Sequence, residues 1–180
     1  MNFKFLKLTA LIITLISIVS CSSDNESSNS KIRTDFDIDI VSGINIRNSD
    51  LATPTQLGNP NIFTDERFIV YPNPTLGMLA LKSNFDISDL YIISAQATKS
   101  YQQTDFTSIL TSESYNESVI ASNAEIKITD LTATNLNINL NELSHGYYKV
   151  FVKINGKLYW DNIYFQDNNL DIDTLINYWN

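Results

Sequence analysis

The residues with the clearest potential to bind a ligand are four oxygen-bearing side chains near the C-terminus. They have the 1, 3, 5, 7 spacing of a calcium-binding loop, and they are Asp167, Asn169, Asp171 and Asp173. Such a loop also needs a glycine at its sixth position and a bidentate glutamate at its twelfth. This chain has Ile172 and Tyr178 there. The four residues are therefore weak calcium candidates, and an acidic tail exposed to solvent explains them better.

Two other places carry side chains of the kind used in metal or acid–base chemistry. Asp35, Asp37 and Asp39 alternate along the chain, so in a strand their carboxylates would lie about 7 Å apart on one face. A solvated acidic face explains them better than calcium does. His145, the only histidine, precedes Gly146 at a predicted turn, which is typical of an exposed turn residue. No nucleophile and base have a recognisable spacing, so we expect no enzymatic activity and no cofactor.

Aromatic residues are concentrated toward the C-terminus, and exposed aromatic rings could stack on sugars. The set comprises Tyr147, Tyr148, Tyr159, Trp160, Tyr164, Tyr178 and Trp179. Alternation places Tyr148 on the same strand face as Val150 and Val152, which favours packing in a core. Tyr178 and Trp179 lie in the tail and are harder to assign to that core.

The N-terminus has the pattern of an export signal. Residues 1–20 carry Lys4 and Lys7, followed by a mainly apolar run of residues 8–19 that is shorter than the about 20 residues of a membrane-spanning helix. Ile18-Val19-Ser20-Cys21 resembles the lipobox of bacterial lipoproteins. That resemblance implies a signal peptide over residues 1–20, cleavage before Cys21 and lipidation of Cys21. The lipid would then anchor the chain in a membrane.

The segment after Cys21 is polar and rich in serine, so residues 21–33 are expected to form a flexible tether. Asp24 and Glu26 resemble the acidic signal that directs lipoproteins to the cell surface in bacteria with type IX secretion. A solvated linker explains these acids equally well. Loss of residues 1–20 removes two of the twelve basic side chains and no acid, which leaves a formal net charge of −10. That charge argues against nucleic acid as a partner.

Short alternating segments between turn formers predict an all-β fold. Residues 34–66 are expected to form a strand over residues 35–40, a short return strand through Ile44 and Ile46, and a loop over residues 52–61. In residues 67–166 the predicted strands cover residues 68–71, 78–82, 90–94, 125–131, 136–140, 147–154 and 157–165. Asn155-Gly156 between the last two is a strong hairpin signal.

Two further segments complete the expected organisation. A polar insertion near residues 96–124 interrupts the β-domain and could form a hairpin of its own. Residues 167–180 form a tail in which a short helix over residues 173–179 is plausible. Its apolar side chains, among them Leu170, Leu175, Ile176 and Trp179, predict that the tail packs back on the domain.

Tyr71-Pro72-Asn73-Pro74-Thr75-Leu76-Gly77 should form a rigid corner. Its two prolines cannot donate to a strand ladder, and Gly77 permits an unusual backbone conformation. These residues resemble the opening of the type IX secretion C-terminal sorting domain. Later parts of that family resemble the segment that includes Gly146 and the final hairpin. The likeness covers residues 68–165 and implies an immunoglobulin-like antiparallel β-sandwich that is read by the secretion machinery.

The chain departs from that family in three ways. Residues 167–180 continue beyond the domain, the insertion lengthens its middle, and Cys21 already supplies an anchor. We therefore expect a non-enzymatic, lipid-anchored protein at the outer membrane, exposed on the cell surface. Its role would be structural or in protein interaction, with envelope proteins or the secretion machinery as partners. A surface lipoprotein that binds glycans or another ligand is the alternative.

Overall fold

A computed structural model describes residues 38–169 and 171–180, all of which belong to one compact unit, Arg33–Asn180. The predicted signal peptide, Cys21, the tether, Asp35, Asp37 and Leu170 lie outside the described residues. The described strands are β1 (Ile40–Val41), β2 (Gly43–Ile46), β3 (Thr55–Gly58), β4 (Phe68–Tyr71), β5 (Met78–Ala97), β6 (Ile126–Ile128), β7 (Ala133–Asn139), β8 (Gly146–Ile154) and β9 (Lys157–Phe165). The two described helices are α1 (Glu117–Asn123) and α2 (Ile172–Trp179).

Strand β5 is the centre of a mixed seven-stranded sheet, and its two halves have different neighbours. The first half pairs with β4 on one side and β7 on the other. The second half pairs with β8 and β6, and its last residues pair in parallel with β1. The register of β5 shifts between Lys82 and Ile87 and again before Asp89. This irregular stretch separates the two groups of strands.

The hairpin of β8 and β9 forms as the sequence predicts. Asn155 and Gly156 both have positive φ, at 52° and 76°, and Ile154 pairs with Lys157 across them. The strands then stay in register to the pair of Gly146 and Phe165. A two-residue turn of this kind matches the twist of its strands, so the local sequence is sufficient to set this register.

The main hydrophobic core draws on both groups of strands. Leu79 and Leu81 from the first half of β5 join one cluster with Leu90 and Ile92 from its second half. Alternate residues of β8 and β9 complete this cluster, namely Tyr148, Val150, Val152, Ile154, Tyr159, Ile163 and Phe165. All are nearly inaccessible to solvent. Their burial is the dominant favourable term in the stability of this fold.

The polar insertion covers the other face of the sheet. Phe106, Leu110, Tyr115 and Ile120 of the insertion are buried. They form a second cluster with sheet residues that include Phe151 and Trp160. No strand forms within residues 98–124, so a hairpin in the insertion is wrong. Turns and helix α1 form in the insertion instead of a hairpin. They bring the few apolar residues of the insertion into contact with the sheet without any pairing of strands.

The N-terminal segment and the tail meet in a third cluster. Val41, Ile44 and Leu57 pack against Leu175 and Trp179 of α2. The short helix expected near residues 173–179 is present, and Asp171 caps it by accepting the backbone N–H of Asp173 at 3.0 Å. The tail therefore packs back on the protein, as its apolar residues predict.

Several strand predictions need correction. The sheet is mixed because β1 runs parallel to β5, so a wholly antiparallel arrangement is wrong. A strand was predicted over residues 35–40, but Ile38 and Asp39 form a turn and the observed strand β1 begins at Ile40. Residues 55–58, expected in a loop, form β3 because they pair with β2. The strands expected at residues 78–82 and 90–94 are parts of one strand, β5. The stretch between them is held at its two ends by pairing with β4 and β7 and then with β8.

Candidate functional site: the Tyr71–Gly77 corner and an open cleft

The corner between β4 and β5 lies against the outer edge of β9. The peptide bonds before Pro72 and Pro74 are both cis, and neither proline can donate a backbone hydrogen bond. Asn73 and Arg47 instead exchange a pair of backbone hydrogen bonds at 2.7 and 2.8 Å. Thr75 N donates to Tyr164 O and Thr75 O accepts from Gln166 N, both at 2.9 Å. The corner thus joins the N-terminal segment to the last strand.

The side chain of Asn73 makes three long-range hydrogen bonds in the interior. Asn73 is fully buried. Its Nδ2 donates to Asn45 O at 2.7 Å and to Asn162 O at 3.0 Å. Its Oδ1 accepts from Tyr164 N at 2.9 Å. One amide therefore satisfies backbone groups on β2 and β9 together, which a carboxylate cannot do because it has no N–H to donate.

Thr75 and Gly77 fix the way the corner enters β5. The buried Thr75 Oγ1 donates to Met78 O at 2.8 Å and accepts from Gly77 N at 3.3 Å. Gly77 has φ at +130°, and a Cβ there would collide with Asn141 Oδ1. The backbone of Gly77 is also engaged, because its O accepts from Leu140 N at 2.7 Å. The exposed Asn141 side chain can rotate away, so the requirement for glycine at this position is conformational.

The structure brings most of the family-like residues together. Gly146 and Thr75 lie on opposite sides of Phe165 in β9, since each pairs with that residue. Tyr71, Pro72 and Pro74 are half-buried around Asn73. The exposed His145 places its ring edge-on to Phe165, with 4.7 Å between ring centroids. These contacts stabilise the fold, and none of them has the geometry of a nucleophile beside a base.

The calcium candidates in the tail have local partners. Asp167 Oδ1 accepts from Asn169 N at 2.9 Å, and Asp171 Oδ1 accepts from Asp173 N. Within residues 38–169 and 171–180, no three acidic, histidine or cysteine side chains are grouped so as to hold a metal ion. Asp167 and Asp171 thus each form a turn with their own backbone.

The aromatic side chains lie mostly inside the protein. Tyr148, Tyr159 and Trp160 are each no more than 4% exposed, and Trp179 of the tail is 2% exposed. Trp160 Nε1 donates to Asn61 O at 3.0 Å, so its polar atom is satisfied in the interior. Tyr178 alone among the predicted set counts as exposed, at 42%. These rings build the core and do not form a platform on the surface.

Two buried charged residues were missed by the sequence analysis. Lys149 is fully buried on the sheet face covered by the insertion. Its Nζ donates to Tyr115 Oη at 3.0 Å and lies 4.9 Å from the centre of that ring. Burial lowers the pKa of Lys149 to about 7, against a smaller opposing effect of Asp39. Alternation along β8 placed Lys149 on a solvent face, which the insertion in fact occupies.

Asp161 is the second buried charge. Burial raises the pKa of Asp161 to about 7, while the N–H of Asn162 and the charge of Arg47 act in the opposite direction. The Asn162 N–H donates to Asp161 Oδ1 at 2.7 Å. In the sequence Asp161 and Asn162 interrupt a strand that is otherwise apolar and aromatic after Lys157, and this single acid was the available signal.

An open cleft of about 410 Å³ adjoins the sheet and was also missed. One wall is the chain from Asn59 to Asp65, and the other is the stretch of the insertion from Thr104 to Leu110. Asn59 joins the walls, because its Nδ2 donates to Tyr101 O at 3.1 Å and to Thr104 O at 2.6 Å. The sequence gives no warning of this cleft, because its walls are far apart in the chain, one partly in a predicted loop and the other in the insertion.

Comparison of the chain with protein-family models, curated proteins and solved structures found no significant match. The likeness of the Tyr71–Gly77 corner and the last hairpin to sorting domains therefore rests on the motif residues themselves. In the part of the chain that is described, neither helix has the length and apolar character needed to cross a membrane.

Proposed function

We propose that this chain is a non-enzymatic, lipid-anchored protein of the bacterial cell envelope. Residues 1–20 serve as its export signal, and acyl groups on Cys21 hold it at the outer membrane, on the cell surface. The β-rich unit is an immunoglobulin-like β-sandwich related to type IX sorting domains. It acts structurally or by binding other envelope proteins, and no cofactor takes part.

The lipobox-like residues that end at Cys21 support the anchor, and the burial of Asn73 at the corner is the observation that carries the structural, non-enzymatic role. The residues that resemble the sorting family are used to hold the fold together, with Asn73 bonded to β2 and β9. Thr75 is likewise buried and bonded within the corner. Groups that are inaccessible and fully hydrogen-bonded are poor candidates for chemistry on a substrate. A structural role for the motif is therefore favoured.

The packing of the described segments before and after the sorting-like region also favours a permanent module over a removable signal. Asn45 and Arg47, which precede the sorting-like region, bond directly to Asn73. Leu175 and Trp179, which follow it, are buried against β1, β2 and β3. Removing either end would expose apolar surface and leave buried polar groups unpaired. We infer that the sorting-like residues do not act here as an independent, cleavable sorting domain.

The aromatic side chains bear on the choice between interaction module and glycan platform. A platform needs ring faces in solvent, whereas Tyr148, Tyr159 and Trp160 are buried. The formal net charge of −10 without residues 1–20 gives a surface suited to solubility and unsuited to nucleic acid.

Metabolic labelling with a fatty acid tests the anchor. The wild-type chain and a Ser22→Ala control should take up label and fractionate with membranes, whereas Cys21→Ala should do neither. Label on Cys21→Ala, or membrane retention of that variant equal to the control, would contradict the proposal. Exposure to protease on intact cells then reports whether the anchored protein faces outward.

A further inference from the structure

The open cleft between the β3–β4 connection and the insertion has the chemistry of a binding site for an uncharged, hydroxyl-rich ligand. We propose that it binds a segment of a neutral oligosaccharide. The inference goes beyond the proposed anchoring and interaction role, and neither Cys21 nor the corner takes part in it. Its volume of about 410 Å³ is within the range of small-molecule sites.

Both walls of the cleft are held in place without a ligand. Asn59 bonds across to the insertion through its side chain. Phe63 exchanges backbone hydrogen bonds with Trp160 at 3.0 and 2.8 Å, and Asn61 Oδ1 accepts from Asn162 Nδ2 at 3.2 Å. A site whose walls are fixed in advance loses little conformational entropy when a ligand binds.

The lining combines apolar rings with hydrogen-bonding groups. The half-buried Phe63 supplies most of the apolar surface and is fixed by stacking on Tyr159 with 5.2 Å between ring centroids, while Phe106 and Leu110, 3% and 8% exposed, form the floor. Around them are side chains that donate or accept hydrogen bonds, namely Gln56, Asn59, Thr64, Asp65, Thr104, Asp105 and Thr107. Sugars present both C–H faces and hydroxyls, so this mixture matches them better than it matches a purely apolar ligand.

The charges at the cleft select against anions. The lining contains Asp65 and Asp105 and no lysine, arginine or histidine. A phosphate or carboxylate ligand would therefore meet repulsion without a compensating cation. Asp105 Oδ1 accepts from Thr107 N at 3.0 Å, and Asp65 Oδ2 lies 3.4 Å from Arg67 Nε. The second oxygen of each carboxylate can accept a hydrogen bond from a hydroxyl of a neutral ligand.

The backbone of the first wall adds a further observation. Asn61 and Asp65 on this wall, and Glu66 directly after it, have φ at 37°, 43° and 55°, a region that residues other than glycine rarely adopt. Three such residues within six positions show that surrounding contacts impose this loop shape. Backbone strain of this kind is concentrated at ligand sites and turns, which is consistent with a loop shaped around a binding cleft.

Isothermal titration calorimetry on the purified full chain tests the inference. The probes are neutral oligosaccharides of glucose, mannose, xylose and galactose, with oligolysine as a cationic comparison. Thr107→Trp places a bulky ring at the rim of the cleft. Thr134→Trp makes the same change at an exposed site on β7, away from the cleft. Asp65→Asn and Asp105→Asn remove the charged acceptors while keeping a side-chain oxygen.

We expect saturable binding of at least one oligosaccharide, weakened at least tenfold by Thr107→Trp and unchanged by Thr134→Trp. Asp65→Asn or Asp105→Asn should also weaken it by about tenfold, because hydrogen bonds to charged acceptors are the stronger ones. These two variants decide the matter if Thr107→Trp fails to fold. Absence of binding by the whole panel, equal loss in both tryptophan variants, or binding of oligolysine alone would overturn the inference.

Discussion

Asp161 is a buried carboxylic acid in strand β9, and its replacement by asparagine should stabilise the protein at neutral pH. Burial raises the pKa of Asp161 from 3.8 to about 7, because the interior disfavours the carboxylate. Asparagine keeps an oxygen that can accept the Asn162 N–H, which bonds to Asp161 Oδ1 at 2.7 Å. The substitution therefore removes the ionisation of this side chain and leaves its shape nearly unchanged.

The sign of the effect follows from the number of protons bound in each state. Between pH 3.8 and about 7, the folded chain keeps a proton on Asp161 that the unfolded chain releases. Wild-type stability therefore falls as the pH rises through this window. A difference of about three pKa units corresponds to about 4 kcal/mol as an upper bound. Asp161→Asn should match the wild type near pH 4 and exceed it by about 2 to 4 kcal/mol above pH 7.

Urea unfolding followed by circular dichroism, repeated between about pH 4 and pH 8, measures this difference. Asp86→Asn is the matched control, because Asp86 is exposed and its substitution should change stability little at any pH. A difference between Asp161→Asn and wild type that stays constant with pH would refute the reasoning. So would a less stable Asp161→Asn variant at neutral pH.

Three further substitutions test the packing by urea unfolding or thermal melting. Asn73→Asp should lower the free energy of unfolding by about 3 kcal/mol or more, because a carboxylate would face two backbone carbonyl oxygens in the interior. Asn137→Asp, at an exposed position of β7, is the control and should lower it little. Gly77→Val should cost on the order of 1 to 3 kcal/mol because of its positive φ, so an unchanged melting temperature would contradict that strain. Trp179→Ala should lower the free energy of unfolding by about 3 to 5 kcal/mol, and Tyr178→Ala, at an exposed position, should lower it far less. Equal effects of the two substitutions would show that the tail is not packed.

Local patterns predicted the parts of the fold that local contacts determine. The β8–β9 hairpin follows from Asn155-Gly156, because two residues that tolerate positive φ fix the turn and the register. Strand β4 was also predicted, and Gly77, which the sequence identified as free to adopt an unusual conformation, has a positive φ. The burial of Tyr148 follows from alternation along β8, whereas Trp160 lies on the opposite face and is buried because the insertion covers it.

Long-range contacts determine what the sequence did not reveal. Strand β3 lies among turn-forming residues, and it forms because it pairs with β2. The parallel pairing of β1 with β5 joins residues more than 50 positions apart. The burial of Lys149 depends on the insertion, which covers the face that alternation assigned to solvent. The cleft likewise forms between two stretches that separately have only loop character.

Transport of a reporter across the outer membrane tests the central claim most directly. The compact unit Arg33–Asn180 is fused behind a reporter that carries an ordinary signal peptide and no lipobox, in a bacterium with type IX secretion. Because the sorting-like residues are packed together with the described segments that precede and follow them, we expect the reporter to remain in the periplasm. The same reporter with an established sorting domain should be released and serves as the positive control. Release of the fusion across the outer membrane, dependent on type IX secretion, would contradict the account.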